Sequence, residues 1–169
     1  MTATPALPPL PRIDVETPAD AGAVEALVLA AFGPGRFAKT AERLRETAGL
    51  SAGFVARLDG RIIGSVRLWA IWIDGAPALF LGPIAVAFEH RSAALGTELV
   101  SRCLDHARTK DVAGILLVGD LPYFGRFGFV PAPEVRMPGP VDQRRVLWWG
   151  DDLPRGPASP FDRGLPPGA

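Results

Sequence analysis

The chain has 169 residues, 48% of them hydrophobic, and its 18 basic and 18 acidic side chains cancel to a formal charge of zero. That length suits one packed domain rather than two, and the balanced charge offers no global field to recruit nucleic acid or an anionic membrane. A single cysteine excludes an internal disulfide, no apolar run reaches membrane-spanning length, and no basic-then-apolar leader opens the chain, so a cytoplasmic setting is expected.

Met1 to Pro11, rich in Pro, Thr and Ala without a period, reads as a flexible leader. Arg12 to Glu16 alternates polar and apolar residues, as an edge strand does. From Asp20, the positions Ala23, Ala26, Leu27, Ala30 and Ala31 recur at helical spacing between Pro18 and Gly33. A second, more polar helix is predicted over Lys39 to Ala48. It has Leu44 as its only large apolar residue, hence shallow packing, and Arg43 and Arg45 on its outer face.

Asp59-Gly60, between the alternating runs Gly53 to Leu58 and Arg61 to Ile73, is the clearest hairpin signal. Val66, Leu68, Ala70 and Trp72 fall on one face; Arg67, Trp69, Ile71 and Ile73 fall on the other. A second turn, Asp74-Gly75-Ala76-Pro77, leads to an apolar central strand, Ala78 to Val86.

After the connector Ala87 to His90, the run Arg91-Ser92-Ala93-Ala94-Leu95-Gly96 opens an amphipathic helix from about Gly96 to Lys110. Its apolar stripe is Leu95, Leu99, Val100, Cys103, Leu104 and Ala107, so Cys103 reads as a small buried hydrophobe. A helix N-terminus carries unpaired N–H groups and about half a positive charge. Small side chains leave those groups accessible and Arg91 adds a cation, which together suit a phosphate. An ordinary strand-to-helix connection is the alternative.

Ile115 to Val118 is apolar throughout, as in a strand buried on both faces, and its place after a helix implies a parallel pair with a right-handed crossover. Pro122 to Phe127 reads as a short helix ended by Gly128. Phe129-Val130 and Val146 to Trp149 read as a closing hairpin. The domain thus spans 12–150, and Asp151 to Ala169 forms a Pro- and Gly-rich tail, extended or ordered by packing along the surface. His90 and His106 are too scattered for a metal site, so no metal is expected.

The order of Pro83-Ile84-Ala85-Val86, then Arg91-Ser92-Ala93-Ala94-Leu95-Gly96, then Tyr123-Phe124-Gly125-Arg126-Phe127-Gly128-Phe129 resembles the GCN5-related N-acetyltransferase (GNAT) superfamily, in its bacterial YhbS-like branch. The likeness covers approximately Ile13 to Pro133. Ala94 stands where the family's first glycine is usual; a positive φ there would strain it by about 1 kcal/mol or more.

The resemblance implies an α+β, mixed α/β fold: a mostly antiparallel mixed sheet, flanked by helices, whose central parallel strands splay apart around an acyl-coenzyme A. It implies acetyl-coenzyme A as co-substrate and transfer to a primary amine of a small molecule or protein, with a homodimer compatible. The diphosphate would lie on Arg91, Ser92, Ala93, Ala94, Leu95 and Gly96, and the pantetheine amides would pair with Ile84, Ala85 and Val86. An N–H near Val86 would polarise the thioester.

Phe32, Arg36 and Phe37 would wall the acceptor site, where Arg67 and Trp69 are further candidates. The family's glutamate base has no counterpart on this central strand; the nearest candidate is Asp120, whose alternative role is to cap the next helix. The family's tyrosine acid falls at Phe124, which leaves its neighbour Tyr123, or water, to protonate the thiolate. A protein that binds acyl-coenzyme A with little or no catalysis is the second reading.

Overall fold

The computed structural model describes residues 2–35, 39–91 and 93–161, Ala93 by its backbone alone. In chain order the elements are β1 (Arg12–Val15), α1 (Ala21–Phe32), α2 (Thr40–Arg45), β2 (Leu50–Leu58), β3 (Arg61–Ile73), β4 (Ala76–Val86), α3 (Ala93–Arg108), β5 (Gly114–Val118), α4 (Leu121–Phe124), β6 (Val130–Pro131), β7 (Val135–Arg136), β8 (Val146–Gly150) and β9 (Gly156–Pro160). Among these residues the sheet runs β1-β2-β3-β4-β5-β8-β6, with β9 paired to both β3 and β7.

Turn chemistry builds the antiparallel half. Asp59 and Gly60 have φ of 50° and 75°, the left-handed pair that matches strand twist in a two-residue hairpin. Asp74 and Gly75 repeat it at 50° and 79°. The second turn is therefore two residues long rather than four, and Ala76 and Pro77 already pair with Ile73 and Trp72.

The helical stripe of α3 packs as its spacing requires: Leu95, Leu99, Val100, Cys103, Leu104 and Ala107 are all buried. Most of the stripe meets Val66 and Leu68 of β3, Leu79 and Leu81 of β4, and Ile115 and Leu117 of β5. Each large apolar side chain so buried contributes about 1.5–3 kcal/mol. On the other face, Ile71 and Ile73 pack with Leu44, Phe80 and Trp148, and α1 sets Val24 and Val28 against Val55 and Ala85.

Three sequence expectations need correction. Helix α3 starts at Ala93, not near Gly96, because alanine is the strongest helix former and Ala93-Ala94 extend the helix rather than a turn. Among the described residues only Asp59 and Asp74 carry a positive φ without being glycine, so Ala94 is unstrained. Helix α2 is shorter than Lys39 to Ala48, and its packing is not shallow: Leu44 is fully buried, the Thr40 hydroxyl bonds the Pro140 carbonyl, and Arg43 donates to the Pro138 carbonyl at 2.8 Å. Arg45 is not on an outer face; its side chain is 10% exposed. Finally, the expected tail contributes β9, which pairs with Ile71 to Ile73, and Phe161 stacks on Trp72 with ring centroids 4.1 Å apart.

Candidate active site

The parallel strands β4 and β5 pair only at Leu79–Ile115 and Phe80–Leu116. Beyond Phe80 they part, and β5 keeps its antiparallel partner β8 through Val118. A bulge in β4 lies just past the parting point. Leu68 pairs with Leu81 and Val66 with Ile84, so Arg67 alone stands opposite Gly82 and Pro83. Proline has no N–H for the ladder, and Gly82 has a φ of 139° that a side chain would disfavour. The Ala87 N–H donates to the Ile63 carbonyl at 2.7 Å. Alternation along an antiparallel strand then turns the N–H and C=O of Val86 and Ile84 to the edge that β5 has left.

The C-terminal end of this edge meets the start of α3, a sixteen-residue helix whose first N–H groups have no intrahelical acceptor. Arg91 precedes it, with its Nε 3.4 Å from the Val86 carbonyl and its guanidinium 5.4 Å from the Phe88 ring centre. The absent side chain of Gly96 admits Tyr123: a Cβ there would sit 2.7 Å from the tyrosine hydroxyl. Arg91, Ala94, Leu95 and Gly96 therefore converge at one end of the splay with Ile84 to Val86 alongside. Ser92 lies outside the described residues.

Along the splay runs a cleft of ≈ 630 Å³, walled by β4, α2, the end of β5 and α4. Phe32 lines it, as does Asp120. Arg36 and Phe37 lie outside the described residues. The Asp120 side chain makes no capping bond to α4; its carboxylate is 74% exposed and lies 3.4 Å from Arg145. The capping alternative is thus not realised. Phe124 also lines the cleft, where it packs edge-on against Phe129, and it fits because Gly119 lacks a Cβ that would come within 2.6 Å of its ring. Tyr123 is not among the lining residues. Its ring stands at 86° to that of Phe124 and carries its hydroxyl to α3 instead.

Arg67 and Trp69 do not join Phe32 in the cleft lining. Arg67 is held by Glu16 at 2.6 Å and by Glu25 at 2.7 Å, and these partners keep its guanidinium firmly charged despite partial burial. The Trp69 indole N–H donates to the Gly82 carbonyl at 2.6 Å. Arg45, expected on an outer face, lines the cleft with Nη1 3.0 Å from where a Gly82 Cβ would stand. The bulge, too, was unanticipated, although Gly-Pro inside a strand signals one.

Cys103 is an inert thiol whose pKa burial pushes far up. His106 bonds Ser51 at 3.1 Å, and burial foremost, with Lys110 second, lowers its pKa. Among the described residues no three His, Cys, Asp or Glu side chains gather as a metal site, and no helix is long and apolar enough to cross a membrane.

Residues 23–129 match the model of the acetyltransferase (GNAT) family. The chain is 32% identical over 151 residues to the uncharacterized N-acetyltransferase YhbS of Escherichia coli K12, covering 85% of this chain and 90% of that protein. The crystal structure of E. coli YhbS in complex with CoA superposes with a TM-score of 0.76 at 29% identity, covering 95% and 94% of the two chains. A GNAT-family acetyltransferase from Brucella melitensis in complex with acetyl-CoA gives 0.68 at 26% identity, covering 89% and 95%. With the splayed strand pair, the bulge and the helix start in place, the chain belongs to the acetyltransferase (GNAT) family.

Proposed function

We propose that this protein is an N-acetyltransferase that moves an acetyl group from acetyl-CoA directly to a primary amine, both substrates being bound together. The observation that carries this reading is the two-residue contact between β4 and β5, which leaves a strand edge open beside the start of α3. The similar E. coli and B. melitensis proteins hold CoA and acetyl-CoA.

The diphosphate lies on the first-turn N–H groups of α3 and Arg91, where small side chains permit approach. The pantetheine amides pair with Ile84 to Val86 in the manner of an added strand. Because Val86 is nearest the diphosphate end, the thioester carbonyl falls further in, so the polarising donor moves from the neighbourhood of Val86 to the Ile84 N–H. One such donor is worth about 3–4 kcal/mol to the oxyanion.

The acceptor enters the cleft along α2, where Phe32 contributes to the wall. Its nitrogen attacks the carbonyl, the C–N bond forms as the C–S bond breaks, the amine gives up a proton and the departing thiolate gains one. A lysine-like amine has a pKa near 10.4, so a base must take its proton. Asp120, which lines the cleft and is open to water, takes it directly or through water. The buried, unreactive cysteine accords with action in the cytoplasm.

Titration calorimetry with acetyl-CoA, followed by a thiol-release assay against a panel of primary amines, tests this reading. Saturable binding and amine-dependent release are expected, and Gly96→Glu should abolish both by filling the anion site and displacing Tyr123. Phe124 in place of the family's tyrosine favours a second reading, an acyl-CoA-binding module with little or no turnover. Binding without release across the panel would establish that second reading.

A further inference from the structure

We infer that Trp69 is a positioning residue for the acyl-transfer step: its indole holds the β4 bulge so that the Ile84 N–H points at the thioester carbonyl. The inference rests on the acetyl-transfer reading above. The Trp69 Nε1–H donates to the Gly82 carbonyl at 2.6 Å, across the β3–β4 ladder and at the bulge itself.

The path from that carbonyl to the Ile84 N–H is short and stiff. The Gly82–Pro83 peptide is planar, and the proline ring locks its own φ. Only the ψ of Pro83 remains soft between the clamped carbonyl and the Ile84 amide. Fixing one end therefore largely fixes the other, and the donor is set before substrate arrives, as electrostatic stabilisation of an oxyanion requires.

The clamp is itself braced. Arg67 stands opposite the bulge with its guanidinium 6.0 Å from the Trp69 ring centre. Glu16, whose side chain is 5% exposed, holds that guanidinium from just past the end of β1 through two bonds of 3.1 and 2.6 Å, and Glu25 holds it from α1. Glu16 reaches Arg67 over Gly53, where a Cβ would meet the carboxylate. The four residues form a line from the sheet edge to the reacting centre. That line explains why a tryptophan and an arginine occupy the face of β3 next to the cleft without lining it.

Trp69→Phe keeps the ring and removes the donor. The prediction is a kcat lowered roughly tenfold or more, against the 10²–10³-fold cost of removing an oxyanion donor outright, with the Kd for acetyl-CoA within about twofold of the parent. A second readout is the infrared carbonyl stretch of bound acetyl-CoA labelled with 13C at the acetyl carbonyl. The parent protein should shift it to lower frequency than in free acetyl-CoA, and Trp69→Phe should return it toward the free value.

Trp72→Phe is the control, since Trp72 stacks on Phe161 and stands opposite Pro77 on the ladder rather than opposite Gly82 and Pro83; it should leave both readouts unchanged. Trp69→His retains a ring N–H on the same face and should recover part of the shift and of kcat; it replaces the Phe variant should that one not fold. An unchanged kcat and carbonyl frequency in the Trp69 variants would overturn the inference while leaving the transferase reading intact. Failure of the parent protein to release thiol with any amine would instead overturn the transferase reading.

Discussion

Phe124 puts an aromatic edge where the resemblance to the family implies a phenol, so in the proposed reaction the cleft lacks a hydroxyl donor for the leaving thiolate at that point. Its neighbour cannot substitute without moving: Tyr123 carries its hydroxyl to Gly96, at the anion end of the splay. Phe124→Tyr should therefore raise kcat several-fold, short of the roughly 10²–10⁴ that a fully positioned acid contributes, while acetyl-CoA binding stays within about twofold. Tyr123→Phe should act oppositely, weakening acetyl-CoA binding and sparing kcat. Steady-state kinetics with calorimetry checks both, and a kcat that falls in Tyr123→Phe at unchanged Kd would return the acid role to Tyr123. The divergence of the two rings was legible from their adjacency on a helix, since neighbours there point about 100° apart. Arg45 was not legible. It follows Leu44 on a helix too short to show a period, and its inward turn depends on β4 lying beneath it, with Phe80 at 5.8 Å.

At the scale of elements, β1 and the start of α1 are tied to β2 by charge. Asp20 accepts two bonds from Arg57, at 2.9 and 2.7 Å, and one from the Thr17 N–H at 2.8 Å; these partners, Arg57 foremost, hold its carboxyl well below the usual carboxylate range. Asp14 is lowered chiefly by Arg12 and then by Arg57. Both carboxyls lose protons more readily folded than unfolded. The stability they contribute is therefore complete above the unfolded value near 3.9 and drains away as pH falls below it toward the folded values. Thermal unfolding followed from pH 7 to 3 should show Tm falling below about pH 4. Arg57→Met should lower Tm at pH 7 and flatten that acid limb; an unaltered limb would remove this network from the account. The hairpin, α1, α3 and β5 were legible because turn residues and apolar period agree in each. The exact start of α3 and the strand β9 were not. Alanine extends a helix where a loop was expected, and β9, the segment Gly156-Pro157-Ala158-Ser159-Pro160, has no strand pattern of its own; it exists because β3 offers an edge past the end of β2.

Across the whole molecule, one sheet does two jobs. Its antiparallel half and the α3 stripe supply a continuous core, while the parallel pair at its centre gives up pairing after two residues and leaves a gap. The bulge at Gly82-Pro83 and the start of α3 flank that gap along β4; in the proposed reaction one presents an amide to the thioester and the other takes the diphosphate. The family and the mixed sheet could be read from three short motifs in order, because each motif sits where local backbone chemistry is decisive. The acceptor side could not, since its walls come from α2, the end of β5 and the 140–145 segment, which only the folded chain brings together. The most direct measurement is a crystal structure with acetyl-CoA bound. Diphosphate oxygens are expected within about 3.2 Å of the first-turn N–H groups of α3, and the thioester oxygen at similar distance from the Ile84 N–H. A thioester seated away from the bulge, or a diphosphate away from α3, would contradict that expectation.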